Sequence, residues 1–305
     1  RMQSPVGMIP DLAEHLVGAG GKRLRPLLTI ASAHLCDYQG TNHHKLAAAV
    51  EFIHSATLLH DDVVDDSDKR RGKTTANLIW GNAPSILVGD FLFARSFNLM
   101  VEAGSLEALG VLSEASSIIA EGEVQQLASL RDVEMSEDTY ISVIGAKTAA
   151  LFAAATEVSA VLAKRPQAER TALKTYGQEL GIAFQLVDDM LDYNGNSTRL
   201  GKAVGDDFRE GKMTLPVIHA YQSAKAAGRQ TEIDFWNRVI SKHEQNEVDL
   251  DTALRLLDKY GSLEATLSAA NTHVAAAQNA LQIFACSEWK TALTRLADFV
   301  TQRLY

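Results

Sequence analysis

Residues 47–66 read AAAVEFIHSATLLHDDVVDD, an apolar run that passes straight into a cluster of aspartates. The run from Ala47 to His60 has the composition of a buried helix. Asp61 and Asp65 follow it four residues apart, on one helical face and one turn from each other. Like charges at that spacing repel, and the C-terminal end of a helix dipole disfavours negative charge. Two penalties at one place call for a compensating cation. Residues 183–192, AFQLVDDMLD, repeat the arrangement. A single cluster of this kind is usually a solvated helix end. Two copies, each doubled at the first aspartate and each closing an apolar helix, point to a site. An all-oxygen donor set without His or Cys at ligand spacing favours magnesium over zinc, with water and substrate phosphates completing the shell.

Outward from these clusters the apolar spacing is helical nearly everywhere. It predicts helices near 10–18, 26–38, 43–66, 84–103, 105–130, 136–163, 168–193, 213–228, 232–242, 248–259, 262–283 and 287–303. No convincing alternating strand, repeat or linker interrupts them. The segments 18–25, 67–83 and 194–212 read as non-helical. Residues 148–162, TAALFAAATEVSAVL, are apolar around most of a helical circumference and belong in the middle of a large helical assembly. The expected class is all-α, with residues 1–305 as one domain.

Composition agrees. The chain has 305 residues, 46% of them hydrophobic, enough for one large core, and its six prolines leave helices uninterrupted. A net charge of −9 argues against nucleic-acid binding, which needs a basic surface. No stretch of about 18 uninterrupted apolar residues suggests a membrane span. Opening on Arg1 suggests that some N-terminal sequence is missing. Cys36 and Cys286 have no ligand or framework spacing and read as reduced, buried thiols of a cytoplasmic protein.

Basic residues gather beside the acidic clusters. Lys22, Arg23 and Arg25 follow Gly20-Gly21; Arg70, Arg71 and Lys73 follow the first aspartates; Lys202 and Lys212 follow the second. Lys147-Thr148 lies in an otherwise apolar helix, where an unpaired lysine is costly. Around two magnesium-type clusters, these cations describe a site for two diphosphates, one bridged by metal and one held by side chains.

The segments GGKRLRP, EFIHSATLLHDDVVDDSDKRRGKTTAN, VGDFLF, AKTAALF, AFQLVDDMLDY and GKAVGDDFREGKMTLP resemble the trans-polyprenyl diphosphate synthases. The likeness is to the long-chain bacterial type (octaprenyl, solanesyl or decaprenyl) that makes quinone tails such as that of ubiquinone. The resemblance implies an isoprenoid-synthase bundle of about a dozen helices around a central apolar cavity. It implies that Asp61 and Asp65 bind two magnesium ions and Asp188 a third, with Asp62, Asp189 and Asp192 behind them. Arg70, Lys147, Lys202 and Lys212 would hold the allylic diphosphate, and Lys22, Arg25, His54 and Arg71 that of isopentenyl diphosphate. Lys147, Thr148, Gln185 and Lys202 form the implied catalytic set. The oxygens of Thr148 and Gln185 would face a developing carbocation. Bulky aromatics four and five residues before the first aspartate give short products in that family. Thr57 and Ala56 are small, so with Ile53 one turn further the tunnel reads as open and the product as long. Decaprenyl is the first choice, octaprenyl and solanesyl stay open, and Phe152 or Leu151 are candidate floor residues.

Phe91, Phe93 and Phe97 read as core, and Glu121, Glu123 and Gln126 as structural. His43-His44 reads as a capping region, and Asp206-Asp207 as either a helper of the metal site or a solvated turn. A short-chain synthase or terpene cyclase and a non-catalytic partner subunit are the competing functions, the cyclase disfavoured by both aspartate motifs and by the set Lys22, Arg25, His54 and Arg71. Thr57 and Ala56 speak against the short-chain synthase, the two complete aspartate motifs against the partner subunit. The resemblance also implies a homodimer, through the 84–130 region, and the apolar product suggests transient membrane contact on release.

Overall fold

The computed structural model describes residues 2–18, 20–70, 72–194 and 204–302. Among these the architecture is all-α. The order is α1 (Met8–Gly18), α2 (Leu24–Leu35), α3 (Asn42–Val64), α4 (Ala76–Trp80), α5 (Asn82–Glu102), α6 (Leu106–Ala128), α7 (Glu137–Ile144), α8 (Ala150–Leu162) and α9 (Gln167–Tyr193). Then come α10 (Asp206–Glu210), α11 (Leu215–Ala226), α12 (Gln230–Trp236), α13 (Asp249–Lys259), α14 (Ser262–Ala280) and α15 (Glu288–Gln302).

The apolar helix α8 is the centre, as its composition demands. All its residues except Glu157 and Leu162 are buried, and it packs against α2, α3, α6 and α9. Three glycines allow that density. A Cβ on Gly177 would come within 2.4 Å of the Phe152 carbonyl oxygen, and one on Gly181 within 2.5 Å of Ala149 Cα. In the segment just before α8, a Cβ on Gly122 of α6 would meet Ala146 Cβ at 2.8 Å. Gly122→Ala is therefore expected to cost about 1–3 kcal/mol by overpacking, read as a lower denaturation midpoint at unchanged slope.

The helix expected over 136–163 is divided. Between α7 and α8 lies a π-helical turn, Gly145–Ala149, which widens the helix at Lys147 and Thr148. Such turns are strained and concentrate at functional sites. A second one, Asn237–Ser241, closes the helix expected over 232–242. The segment 67–83 is not irregular throughout: Lys69–Arg70 (β1) pairs antiparallel with Lys73–Thr74 (β2), and α4 follows. Gly72, at φ 77°, supplies the positive φ that a tight reversal needs. In 194–212 the short α10 stands where no helix was expected.

Two smaller expectations met different outcomes. Cys36 is buried but Cys286 is exposed; burial raises the Cys36 thiol pKa to about 12. The helix start expected at His43-His44 holds, with Thr41 at the N-cap but no side-chain capping bond; His43 is buried against His34, His44 and Tyr38. The column Glu137–Leu162 has the length and apolarity of a membrane span, yet 67% of its most apolar window is buried inside the bundle. Phe91, Phe93 and Phe97 pack against the core as expected.

Candidate active site

The end of α3 carries the first carboxylates. Asp61 is partly buried, and its pKa is raised first by burial and then by Asp65, against the opposing pull of Lys147, Arg70 and Lys212. Asp62 points elsewhere. It is 1% exposed and accepts a hydrogen bond from Arg70 Nε at 2.7 Å. The β1–β2 ladder thus brings Arg70 back over α3, with Asp62 as its anchor.

Lys147 needs a partner in its apolar helix, and it finds Glu123 on α6, with Nζ 2.8 Å from Oε2. Burial and the neighbouring Asp61 raise the Glu123 carboxyl. Glu123 therefore belongs to the site, although it reads as structural from the sequence. The available signal was the lysine itself, whose burial required an acid on an adjoining helix.

The π turn also aims Thr148 at α9. Thr148 Oγ1 donates to Gln185 Oε1 at 3.0 Å, Gln185 Nε2 donates to Asp189 Oδ1 at 2.6 Å, and Tyr140 Oη donates to Asp189 Oδ2 at 2.5 Å. Burial and Asp207 hold the Asp189 carboxyl well above its usual range; burial and Asp189 do the same to the Tyr140 phenol. Asp192 has a different task. Its two oxygens accept the backbone N–H groups of Asp206, at 3.2 Å, and Asp207, at 3.0 Å, pinning the start of α10 to the end of α9.

The pinned segment delivers Lys212, whose Nζ lies 3.5 Å from Asp65 Oδ2 and also pairs with Glu210. Burial alone would lower its pKa, but Asp207, Asp65 and Glu210 outweigh that and raise it. Asp207 is thus part of the site's charge, whereas Asp206 faces outward and pairs with Arg209. Lys147, Thr148, Gln185, Asp189, Asp207 and Lys212 share one cavity of about 130 Å³, together with Tyr140 and Gln126. Through Lys212 the first carboxylate group meets the surroundings of the second, where Asp188 adds to the charge around Asp189.

The remaining expected residues are not among those lining this cavity. The Arg25 guanidinium stacks 4.5 Å from the Phe152 ring centroid, and Lys22 Nζ lies 5.4 Å from that of Phe299. His54 is on α3, its carbonyl accepting from Thr57 Oγ1 at 2.9 Å. Arg71 and Lys202 lie outside the described residues. The chain-length positions divide: Ile53 packs with α5, α6 and α8, including Leu151 and Ala154, while Ala56 packs with Leu12, Leu59, Val88 and Leu92.

Among the described residues, no three metal-capable side chains stand close enough to hold an ion by themselves. The carboxylates come instead in two groups beside a cavity lined with ammonium groups. That donor set fits a hard divalent cation bound through few carboxylates, with water and ligand oxygens completing its shell.

A family model described as "Polyprenyl synthetase" matches residues 7–257. The chain is 45% identical over 303 residues to an octaprenyl diphosphate synthase of Escherichia coli, covering 99% of this chain and 92% of that one. A polyprenyl synthase from Caulobacter crescentus, solved in complex with calcium and isoprenyl diphosphate, superposes with a TM-score of 0.94 at 54% identity, covering 100% of this chain and 92% of the other. A decaprenyl diphosphate synthase from Rhodobacter capsulatus gives 0.93 at 51%, covering 100% and 93%.

Proposed function

The chain belongs to the polyprenyl synthetase family, and from that premise we propose that it is a long-chain trans-polyprenyl diphosphate synthase. It is a prenyltransferase that lengthens an allylic diphosphate with isopentenyl diphosphate. The observation that carries the site reading is the cavity where Lys147, Lys212, Thr148 and Gln185 meet between two carboxylate groups. The finer reading is a decaprenyl product for a quinone tail such as that of ubiquinone, with octaprenyl and solanesyl as the neighbouring lengths. It further takes residues 1–305 as one domain of a cytoplasmic homodimer that touches a membrane surface only on product release.

Asp61, Asp65 and Asp188 would hold three Mg²⁺ ions, which when bound neutralise the leaving diphosphate and favour ionisation of the allylic C–O bond. Lys147, Lys212 and Arg70, with Lys202 beyond the described residues, take up the diphosphate charge by charge-assisted hydrogen bonds. Lys22, Arg25, His54 and Arg71 hold the second diphosphate. Thr148 and Gln185 turn oxygens toward the positive carbon. The apolar shell from α3, α5, α6 and α8 keeps water from quenching it. Attack by the isopentenyl double bond and loss of a proton to the released diphosphate complete the cycle, so no Ser, Cys or His nucleophile is required.

The test is turnover of farnesyl diphosphate and labelled isopentenyl diphosphate with Mg²⁺, followed by product sizing. An octaprenyl to decaprenyl product is expected. Geranylgeranyl or shorter products would sink the long-chain reading, and an absence of Mg²⁺-dependent turnover would make the chain a non-catalytic subunit.

A further inference from the structure

The hydrogen-bond chain through Tyr140, Asp189, Gln185 and Thr148 reaches past the residues that touch substrate in the reading above, on which the following rests. All four line the same cavity, and the order of donors along the chain is not arbitrary. A Gln amide is two-sided, and in isolation either end can face Thr148. Gln185 Nε2 donates to Asp189 Oδ1 at 2.6 Å, and the opposite flip sets two oxygens against each other unless that Asp189 oxygen carries a proton. Gln185 Oε1 then faces Thr148 and takes its single hydroxyl proton. Thr148 has no other proton to give, so toward the cavity its oxygen offers lone pairs alone. A carbocation requires that polarity.

Tyr140 lies furthest along this chain from Thr148. Asp189 can impose the flip only while its carboxylate stays in place, and its second oxygen is held by Tyr140, on a different helix, at 2.5 Å. Tyr140 is 4% exposed, and its ring packs in the core cluster shared by α7, α9 and α11. We infer that Tyr140 is a positioning residue for prenyl transfer: through Asp189 it fixes the amide of Gln185, and through Gln185 it fixes the hydroxyl of Thr148.

Tyr140→Phe keeps the ring and removes the hydroxyl. With the amide free to flip, the positive carbon loses its facing lone pairs and lives less selectively. Water then captures a larger share of it. In that side reaction the allylic C–O bond breaks with its electron pair leaving on the diphosphate, a new C–O bond forms to water, and one proton is released. The expected result is a roughly tenfold lower kcat for the first condensation, the scale of one well-placed hydrogen bond. KM for both diphosphates should stay within about twofold, and the share of allylic alcohol among products should rise. A wild-type kcat and alcohol share, or a raised KM at unchanged kcat, would overturn the inference.

Gln185→Leu provides a second arm that does not depend on the Tyr140 variant folding. Alone it must raise the alcohol share, and in that background Tyr140→Phe must cause no further loss of kcat. An unaltered alcohol share in Gln185→Leu, or additive losses in the double variant, rejects the coupling. Turnover by the wild-type chain is measured first; its failure would reject the functional reading and is distinct from either result.

Discussion

Asp61→Asn is expected to cut turnover by about a thousandfold, the scale of losing one preorganised charge-stabilising group, while making the ligand-free protein more stable. The two effects have one cause. Asp61 is held partly buried beside Asp65, and its pKa in the fold is raised. A carboxyl raised by folding contributes stability that is fully present below its unfolded value, about 3.9, and is lost as pH climbs through the folded value. At neutral pH the ionised group therefore weighs against the fold, and a neutral amide of the same shape removes that weight. Melting curves in chelator should coincide for the two proteins near pH 4 and diverge as pH rises. At pH 7 the variant should melt higher, by roughly 2–4 °C for each kcal/mol relieved. A variant that melts lower at pH 7 would show Asp61 to be a net stabiliser, contrary to its environment.

The second large effect concerns product length. Ala56 and Thr57 lie one turn before Asp61, and Ile53 one turn further, facing the α5–α6–α8 layer. Two aromatic rings at the upper level, Ala56→Phe with Thr57→Phe, should stop the chain at geranylgeranyl or shorter and leave the first condensation rate nearly unchanged. Ala56 is 1% exposed among Leu59, Val88 and Leu92, so overpacking should also cost about 1–3 kcal/mol. Product sizing by thin-layer chromatography decides the matter. Full-length products from a folded double variant would mean that the growing chain leaves Asp61 by another path.

The helices were legible because their apolar spacing and their ends coincide: α3, α9 and α14 fall within a few residues of expectation. The aspartate motifs were legible because a doubled carboxylate at the end of a buried helix is costly without a purpose. What could not be read was long-range pairing. Nothing local marks Glu123 as the partner of Lys147, or Tyr140 as a partner of Asp189, since these contacts span 24 and 49 residues. Asp192 reads from the sequence as standing behind the metal ligands, and only the fold shows that its oxygens accept the backbone N–H groups of Asp206 and Asp207. The π turn at Gly145–Ala149 escaped notice for a similar reason. One residue added to a helical turn shifts the phase of the side chains after it, and in a stretch as uniformly apolar as α8 no phase is visible.

The pairing of the cavity lysines with carboxylates makes the site an ion exchanger. Lys147 rests on Glu123, and Lys212 on Asp65 and Glu210. Diphosphate arriving alone must draw these ammonium groups away and leave acids bare; a divalent cation arriving alone must evict them toward no anion. Arriving together, they relieve that conflict at Asp65, where the cation takes the place that Lys212 gives up to the diphosphate. Each therefore strengthens the binding of the other by the same factor.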